Sequence, residues 1–586
     1  MNTLIRSESS FKSVIKNSTL ALINISMDGD SQYPEEIPMG VGAVASFVRQ
    51  NGFSVSIHQC FPDKCETAIE EASKIQADVY GFQLNIVNYV HVQAVAKGLK
   101  ANFPESLIVL GGPFQSSLAA PILKNESAFD CMVVGEGELS MLDLMQAKSR
   151  GEANLANING IVWRDDDGKV VRNKPRNLIE DLDTLPFIAR DFLADLKHVD
   201  ENDGGLLESI RLVTSRGCVA QCSFCSVNFY TKLQKGKIWR GRSAKNVVDE
   251  LEHLTKDYNA KVFNFSDSSF EDPGKIGKQR TRDICNDILE RKISMSAKVY
   301  MRADTMHKKE DAELFRLWKK AGIDVIIIGA EAGSDLELEF YNKRANVEQT
   351  IQTIENLKEL DLFYVFVGFI MFGPDSTMTS LRENIEFHKR LGLTDNPTHM
   401  SNALMLIRDT AVYATLRAQG RVIEAENFWE LPKYTFRDPL AERAALHWDG
   451  IYYRYPTTNA LNKKLVNTEN LISRMTNPMN AEVFAAFEGE FLNFKEQYSA
   501  LKAEFGKLQY DYFNQILDKI EKNCSDQDLK LAGDRFFGPV YEQYYPKYAD
   551  LYDGFLDQLY ASNLGISGLT FRHFRPNVVK EGMQRV

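Results

Sequence analysis

Three of the chain's 8 cysteines fall within eight consecutive positions of its 586 residues. They form Cys218-Val-Ala-Gln-Cys222-Ser-Phe-Cys225, a C-x3-C-x2-C run. This spacing brings three thiolates to one side of a loop, where they can hold three irons of a [4Fe–4S] cube; a full cube takes four protein ligands. Three leave one iron open, and an open metal position implies chemistry where a closed one implies structure. The preceding run, Arg211-Leu-Val-Thr-Ser-Arg216-Gly217, predicts a short strand ending at a glycine. The loop then stands at a strand's C-terminal end, where barrels and open α/β sheets bind ligands. A disulfide with a spare thiol would need an oxidising compartment, which nothing here suggests. A zinc site would want a fourth Cys or His nearby, and residues 226–237 supply none.

With Phe224 before its last cysteine, the motif resembles that of the radical S-adenosylmethionine (SAM) superfamily. The resemblance implies that Cys218, Cys222 and Cys225 carry the cluster. It also implies that SAM's amino and carboxylate groups chelate the open iron, and that electron transfer cleaves SAM to a 5′-deoxyadenosyl radical.

The rest of the chain bounds the setting. A hydrophobic fraction of 44% permits a sizeable core. A net charge of −11 argues against nucleic acid or an anionic membrane as main partner. No apolar run approaches the ~20 residues of a membrane span. The run Leu20–Ile25 is too short and too polar for a signal-peptide core. Free cysteines and an oxygen-sensitive cluster point to a reducing cytoplasm. The expected organisation is a tail (1–18), a Rossmann-like domain (19–146), a linker with a β-hairpin (147–207), a partial barrel (208–419) and a helical domain (420–586).

Residues 19–146 alternate short β-rich runs (Leu20–Ser26, Phe53–His58, Asp78–Gln83, Leu107–Gly111, Cys131–Gly135) with helical stretches (Gly40–Gln50, Glu66–Gln76, Val90–Asn102). Five such units predict a doubly wound parallel sheet with its ligand over the C-terminal strand edges. Gly40-Val-Gly42-Ala-Val-Ala45 matches a dinucleotide fingerprint on paper, but a loop with Pro34 and Pro38 stands where a tight turn is required. Small residues packing a helix on the sheet is the better reading. The strand ends resemble instead the cobalamin-binding domain that precedes many radical SAM domains. The matching residues are Pro38, Met39 and Gly40; Asn85, Val87 and Asn88; Gly111, Gly112, Pro113 and Gln115; and Gly135, Glu136, Gly137 and Glu138. The Asp-x-His-x-x-Gly signature of a lower axial histidine is absent: Met27–Tyr33 holds no His, and His58 lies in Ser56-x-His58-x-x-Phe61. Val87 stands where relatives often carry Trp.

In the linker, Ile161–Arg172 reads as a hairpin turning at Asp167-Gly168. From 211 to about 415 six strands are expected (Arg211–Arg216, Lys261–Ser266, Ala297–Arg302, Val325–Gly329, Tyr364–Phe372, Met400–Ile407), which matches the partial (β/α)6 barrel implied by the resemblance. By the same resemblance Phe224, Arg302, Glu331 and Ser334 contact SAM. SAM's carboxylate suits an Arg fork, and its hydroxyls or amine suit a carboxylate. Phe265-Ser-Asp267-Ser-Ser-Phe270 sits where the family often has paired acids. Beyond 420 the chain is aromatic-rich, with helical spacing and no catalytic motif.

Tandem cobalamin and radical SAM domains imply an enzyme, most often a methyltransferase acting on an unactivated carbon of a small molecule or peptide. Such enzymes use methylcobalamin and the 5′-deoxyadenosyl radical, and take electrons from a reductant such as flavodoxin or ferredoxin. The same architecture also serves rearrangement, cyclisation, oxidation or deoxygenation. A non-catalytic cluster or corrinoid-binding protein is the rival of another class.

Overall fold

The structure is a computed structural model, and it describes residues 18–25, 38–60, 69–70, 73–74, 76–85, 87–112, 117–191 and 210–562. Its contacts form two units. One is Met1–Phe192 with Tyr230–Lys237 and Glu426–Glu430; the other is Leu193–Phe229, Ile238–Ala425 and Leu431–Val586.

In the first unit β1 (Thr19–Ile25), β2 (Ser54–Cys60), β3 (Val79–Gln83), β4 (Leu107–Gly111) and β5 (Cys131–Val133) are parallel. Helices α1 (Met39–Gln50), α2 (Tyr89–Asn102), α3 (Ala119–Asn125) and α4 (Glu138–Ser149) alternate with them. The strand order is β2-β1-β3-β4-β5. Alternate residues of β1 feed two cores, which explains its continuous apolar run. Ala21, Ile23 and Ile25 join Val92, Val95 and Ile122 on one side; Leu20 and Leu22 join Val41, Ala45 and Leu144 on the other. The sheet is thus doubly wound, and its order reverses between β1 and β3, the switch point where such sheets bind ligands.

The hairpin expected in the linker is part of this sheet. Strands β6 (Ile161–Arg164) and β7 (Val170–Arg172) extend it antiparallel from β5. The turn closes with the Gly168 amide donating to Asp165 O at 2.9 Å. Most of the expected helix Glu66–Gln76 lies outside the described residues, as does the loop Met27–Tyr33.

The second unit holds five parallel strands: β8 (Ile210–Leu212), β9 (Val262–Phe265), β10 (Ser296–Arg302), β11 (Ile323–Glu331) and β12 (Tyr364–Phe369), in the order β12-β11-β10-β9-β8. Outside them lie α5 (Ala244–Tyr258), α6 (Gly274–Glu290), α7 (Ala312–Lys320), α8 (Asp335–Phe340), α9 (Val347–Leu360) and α10 (Met378–Arg390). Ser243 caps α5 by accepting from the Asn246 amide at 3.1 Å. The sixth strand expected at Met400–Ile407 shrinks to a single parallel bridge, Phe372 to Ala403. The Phe372 amide donates to Asn402 O at 3.0 Å and the Leu404 amide to Phe372 O at 2.8 Å. Pro374 follows two residues on and has no amide to continue a ladder. The Asn402 side chain donates to Phe369 O at 3.2 Å, taking that carbonyl of β12.

The helical region beyond residue 420 contains α11 (Pro439–Trp448), α12 (Pro456–Met475), α13 (Ala481–Glu521), α14 (Asp526–Phe537) and α15 (Pro539–Ala561). Its aromatics are core, with Phe494 stacked on Phe555 at 4.5 Å. It closes the N-terminal end of the five-stranded sheet, where Asn477 donates to Met295 O, Gly322 O and Asp324. Among the described residues no helix is long and apolar enough to cross a membrane.

Candidate functional site

The cysteine loop starts from a fixed point. Asp267, fully buried, accepts from the Thr214 amide (3.1 Å), the Thr214 hydroxyl (3.0 Å) and the Ser215 hydroxyl (2.5 Å). This acid, in the stretch that sits where the family often has paired acids, anchors the end of β8. Gly217 then turns the chain at φ +87°, a conformation open to glycine at little cost. The C-terminal end of α8 and the two residues after it hold the loop. The Ser223 amide donates to Tyr341 O (2.8 Å), its hydroxyl to Phe340 O (3.0 Å), and Asn342 Nδ2 to Gln221 O (2.6 Å). Phe224 meets Tyr341 edge-on at 5.5 Å. That contact packs its ring against the residue that follows α8.

Cys218, Cys222 and Cys225 are half-buried free thiols. Burial pushes the Cys218 thiol up to about 11, against a 3.4 Å contact from the Ala220 amide; burial raises Cys222 and Cys225 as well. Cluster binding must therefore displace protons, as it does at any thiolate site. Among the described residues no three His, Cys, Asp or Glu side chains gather to hold one ion. A cube needs no such convergence, because each cysteine attaches to a different iron. The donor set therefore suits the cube.

Charged groups surround this loop. Arg302, at the end of β10, forms a two-armed pair with Asp304 and reaches Asp272 at 3.2 Å. Burial works against its charge, yet Asp304 and Asp272 keep the guanidinium firmly protonated. The fork expected to take SAM's carboxylate is thus already held by protein carboxylates. Glu331 ends β11 at φ +72°, beside a register shift between Gly329 and Glu331. Its carboxylate accepts from Lys343 at 3.1 Å. Burial lowers the Lys343 ammonium, but Glu331 and Cys222 raise it further, so the charge stays. Lys343 sits in the loop between α8 and α9 and gave no signal in the sequence.

Glu271, also unanticipated, is fully buried. Its Oε1 accepts from Ser269, Thr305 and the Arg302 amide, while Oε2 has no partner. Burial and neighbouring Asp272 push it up to about 7, so it can hold a proton near neutrality.

Ser334 is buried, its hydroxyl has no partner, and it lines a shallow hollow of about 320 Å³ with Gly333, Asp335, Leu336, Val347 and Glu383. None of the cysteines lines that hollow.

The strand ends of the first unit were expected to border cobalamin, and several of these residues also brace the edge itself. Asn88 is wholly buried; its amide donates to Ile25 O (3.3 Å) and Gln83 O (3.0 Å), and its oxygen accepts from the Asn85 amide (2.9 Å). Asn85 in turn accepts from the Val87 and Asn88 amides. Both asparagines therefore tie the β1 and β3 ends together at the switch point. Gly112 has φ +142°, and a Cβ there would lie 2.2 Å from Leu84 O. Gly135 has φ +88°, and its Cβ would strike Gln234, whose side chain accepts from the Glu136 amide at 2.6 Å. Gly137 packs against Val44, and Glu138 is buried in the first turn of α4. Pro38 starts α1 by accepting from the Val41 and Gly42 amides. Gly42, from the rejected dinucleotide match, is a packing glycine: its Cβ would meet Ile188 at 2.3 Å. Pro113 and Gln115 lie outside the described residues.

Open space remains over Gly40 and Gly111, where an added Cβ meets nothing within 4 Å, and Val87 is 62% exposed. That combination fits a broad ligand with an apolar side. Two further features had no sequence signal. Gln234 joins this unit, and Trp429 stacks on Tyr89 at 4.6 Å just past Asn88.

The family model described as the radical SAM superfamily matches residues 212–388, and that of the B12 binding domain matches residues 29–145. The chain is 29% identical over 357 residues to an uncharacterised methyltransferase of Pyrococcus horikoshii, covering 61% of this chain and 74% of the relative. It is 27% identical over 342 residues to the anaerobic magnesium-protoporphyrin IX monomethyl ester cyclase of Rubrivivax gelatinosus, covering 55% of this chain and 56% of that protein. Its fold is that of OxsB, a cobalamin-dependent S-adenosylmethionine radical enzyme solved with aqua-cobalamin and S-adenosylmethionine bound. The TM-score is 0.68 at 17% identity, over 94% of this chain and 85% of that one.

Proposed function

The chain belongs to the cobalamin-dependent radical SAM superfamily, and from that premise we propose that it is a C-methyltransferase acting on an unactivated carbon of a small molecule or peptide. Its cofactors are a [4Fe–4S] cluster, SAM and cobalamin. Once bound, they supply reductive cleavage of SAM to a carbon-centred radical and a methyl group carried on cobalt. The protein contributes position, charge and exclusion of water.

The observation that carries this reading is the trio of half-buried thiols on a loop at the C-terminal end of a parallel sheet, with a fourth cysteine lacking from the loop. In this reading Cys218, Cys222 and Cys225 hold the cluster. Glu331, kept ionised by Lys343, offers a carboxylate to the amine or ribose of SAM. Arg302, fixed by Asp304, presents positive charge to SAM's carboxylate without turning its fork over to it. Gly40, Gly111 and Val87 border the cobalamin face, while Asn85, Asn88, Gly112 and Gly135 set the shape of its edge. A reductant such as flavodoxin or ferredoxin delivers electrons in a reducing cytoplasm.

The cyclase among the relatives favours a second reading, the same radical start without methyl transfer. Anaerobic reconstitution with iron, sulfide, hydroxocobalamin and SAM, followed by mass analysis of released nucleosides, separates the two. Methyl transfer yields both S-adenosylhomocysteine and 5′-deoxyadenosine. Deoxyadenosine alone selects the second reading, and neither product rejects both.

A further inference from the structure

Two enclosed carboxamides at the C-terminal strand edge of the first unit lack the partners that burial demands. Gln234 is 6% exposed and belongs to this unit, although it lies just downstream of Cys225 in the chain. Its segment is firmly placed. The Leu178 amide donates to Lys235 O at 2.8 Å, Leu233 packs against the core, and Gly236 lies against Leu178. The Gln234 carboxamide fills the space that Gly135 leaves by having no side chain, and its Oε1 accepts from the Glu136 amide at 2.6 Å. Its Nε2 is enclosed and has no acceptor.

Gln59 repeats the pattern at the other end of the parallel strands. It stands one residue before the end of β2 and pairs in register with Asn24 of β1, so two carboxamides share a face. That face is otherwise apolar, since Leu20, Leu22, Val55 and Ile57 turn it toward Val41 and Ala45 of α1. Asn24 is 5% exposed. Neither Nε2 nor Oε1 of Gln59 has a hydrogen-bond partner, although both atoms are enclosed. An enclosed amide left this way costs about 1–3 kcal/mol. In strand order the open space at Gly111 of β4 falls between the two glutamines.

We propose that Gln234 and Gln59 are cobalamin-binding residues that hold the corrin ring by its peripheral carboxamides. The proposal rests on the cobalamin reading of this unit and names contacts that orient the ring. Gln59 lacks a donor and an acceptor at once, and a primary carboxamide offers both side by side. A phosphate or carboxylate would serve the Gln59 nitrogen and leave its oxygen bare. Gln234 lacks only an acceptor, which an amide oxygen supplies while Oε1 keeps the Glu136 amide. β2 and β5 bound the parallel strands, with β1, β3 and β4 between them, a span of roughly 19 Å at about 4.8 Å per strand. A ring with amides along its whole rim meets both glutamines, and a small ligand reaches only one.

The test uses the full chain with its reconstituted cluster and two probes, hydroxocobalamin and cobinamide. The second keeps the amides of the ring and lacks the nucleotide. Absorbance titration gives a dissociation constant for each. Gln59→Met weakens both probes about tenfold, the loss of two neutral hydrogen bonds. It leaves the cobalamin-free chain at least as stable in urea, because an unpartnered amide gives way to an apolar chain of similar length. A merely structural glutamine would lose stability and binding together. Gln59→Leu serves if Gln59→Met fails to hold its cluster. Gln234→Glu, ionised at about pH 8, keeps the acceptor for the Glu136 amide, loses the donor, and weakens both probes about fivefold. Unchanged affinity in either variant, or a defect with cobalamin that vanishes with cobinamide, overturns the proposal. A wild-type chain that binds neither probe overturns the cobalamin reading instead.

Discussion

At the end of β4, Gly111 leaves open space and Gly112 lets the backbone lie against Leu84. At the end of β10, Arg302 is locked to Asp304 and Asp272, and at the end of β11 Glu331 is locked to Lys343. Both places are C-terminal edges of parallel sheets, yet one is made of missing side chains and asparagine-braced turns and the other of paired charges. A broad, rigid ligand needs room and a firm rim; a small zwitterion needs fixed charges in a place where water cannot screen them.

The contrast can be broken most severely at the cluster. Cys222→Ala should remove both the cluster absorbance and 5′-deoxyadenosine formation while leaving a cobalamin spectrum; retained nucleoside release would sink the assignment of the trio. Next in size is Lys343→Met, which leaves the Glu331 carboxylate without its cation. Breaking a pair this enclosed costs about 3 kcal/mol, read as a lower urea midpoint together with weaker SAM binding. An unchanged midpoint would mean that the charged edge is not preorganised.

Acid should weaken the second unit specifically. His388 and His399 stack at 5.1 Å in its core, and burial holds both rings neutral, His399 down to about 4 and His388 lower than its ordinary value. The unfolded chain binds protons near pH 6.5, so stability is complete above that pH and falls as pH drops from 6.5 toward 4. For His399 alone the loss at pH 5 is roughly 2 kcal/mol. Urea titrations at pH 7 and pH 5 test it, and His388→Phe should flatten the dependence.

The finest comparison is between adjacent glycines. Gly112→Ala, forced into a positive φ and a backbone clash, should destabilise by more than about 1 kcal/mol. Gly111→Ala should leave stability within roughly 0.5 kcal/mol and still reduce cobalamin uptake measured by absorbance. Equal behaviour of the two would dissolve the distinction between rim and room.

What could be read before folding follows the same physics. The cysteine trio was legible because its members are neighbours in the chain, and the βα alternation because parallel strands buried on both faces leave near-continuous apolar runs. The antiparallel hairpin was visible as a hairpin but not as part of the sheet, since nothing local in Ile161–Arg172 names β5 as its neighbour. Lys343 reads as an ordinary turn lysine, and only the return of the chain past α8 brings it to Glu331. The sixth strand misled because Leu404 and Leu406 have the alternation of a strand but bury themselves beside Tyr341 and Val412.

That shortened sixth position also protects the molecule from itself. A bare strand at a sheet's margin invites a second copy to zip onto its amides and carbonyls. Here the Asn402 carboxamide and the short Phe372–Ala403 contact occupy the upper margin of β12. An intruding strand would find the Phe369 carbonyl and the Phe372 backbone already bonded.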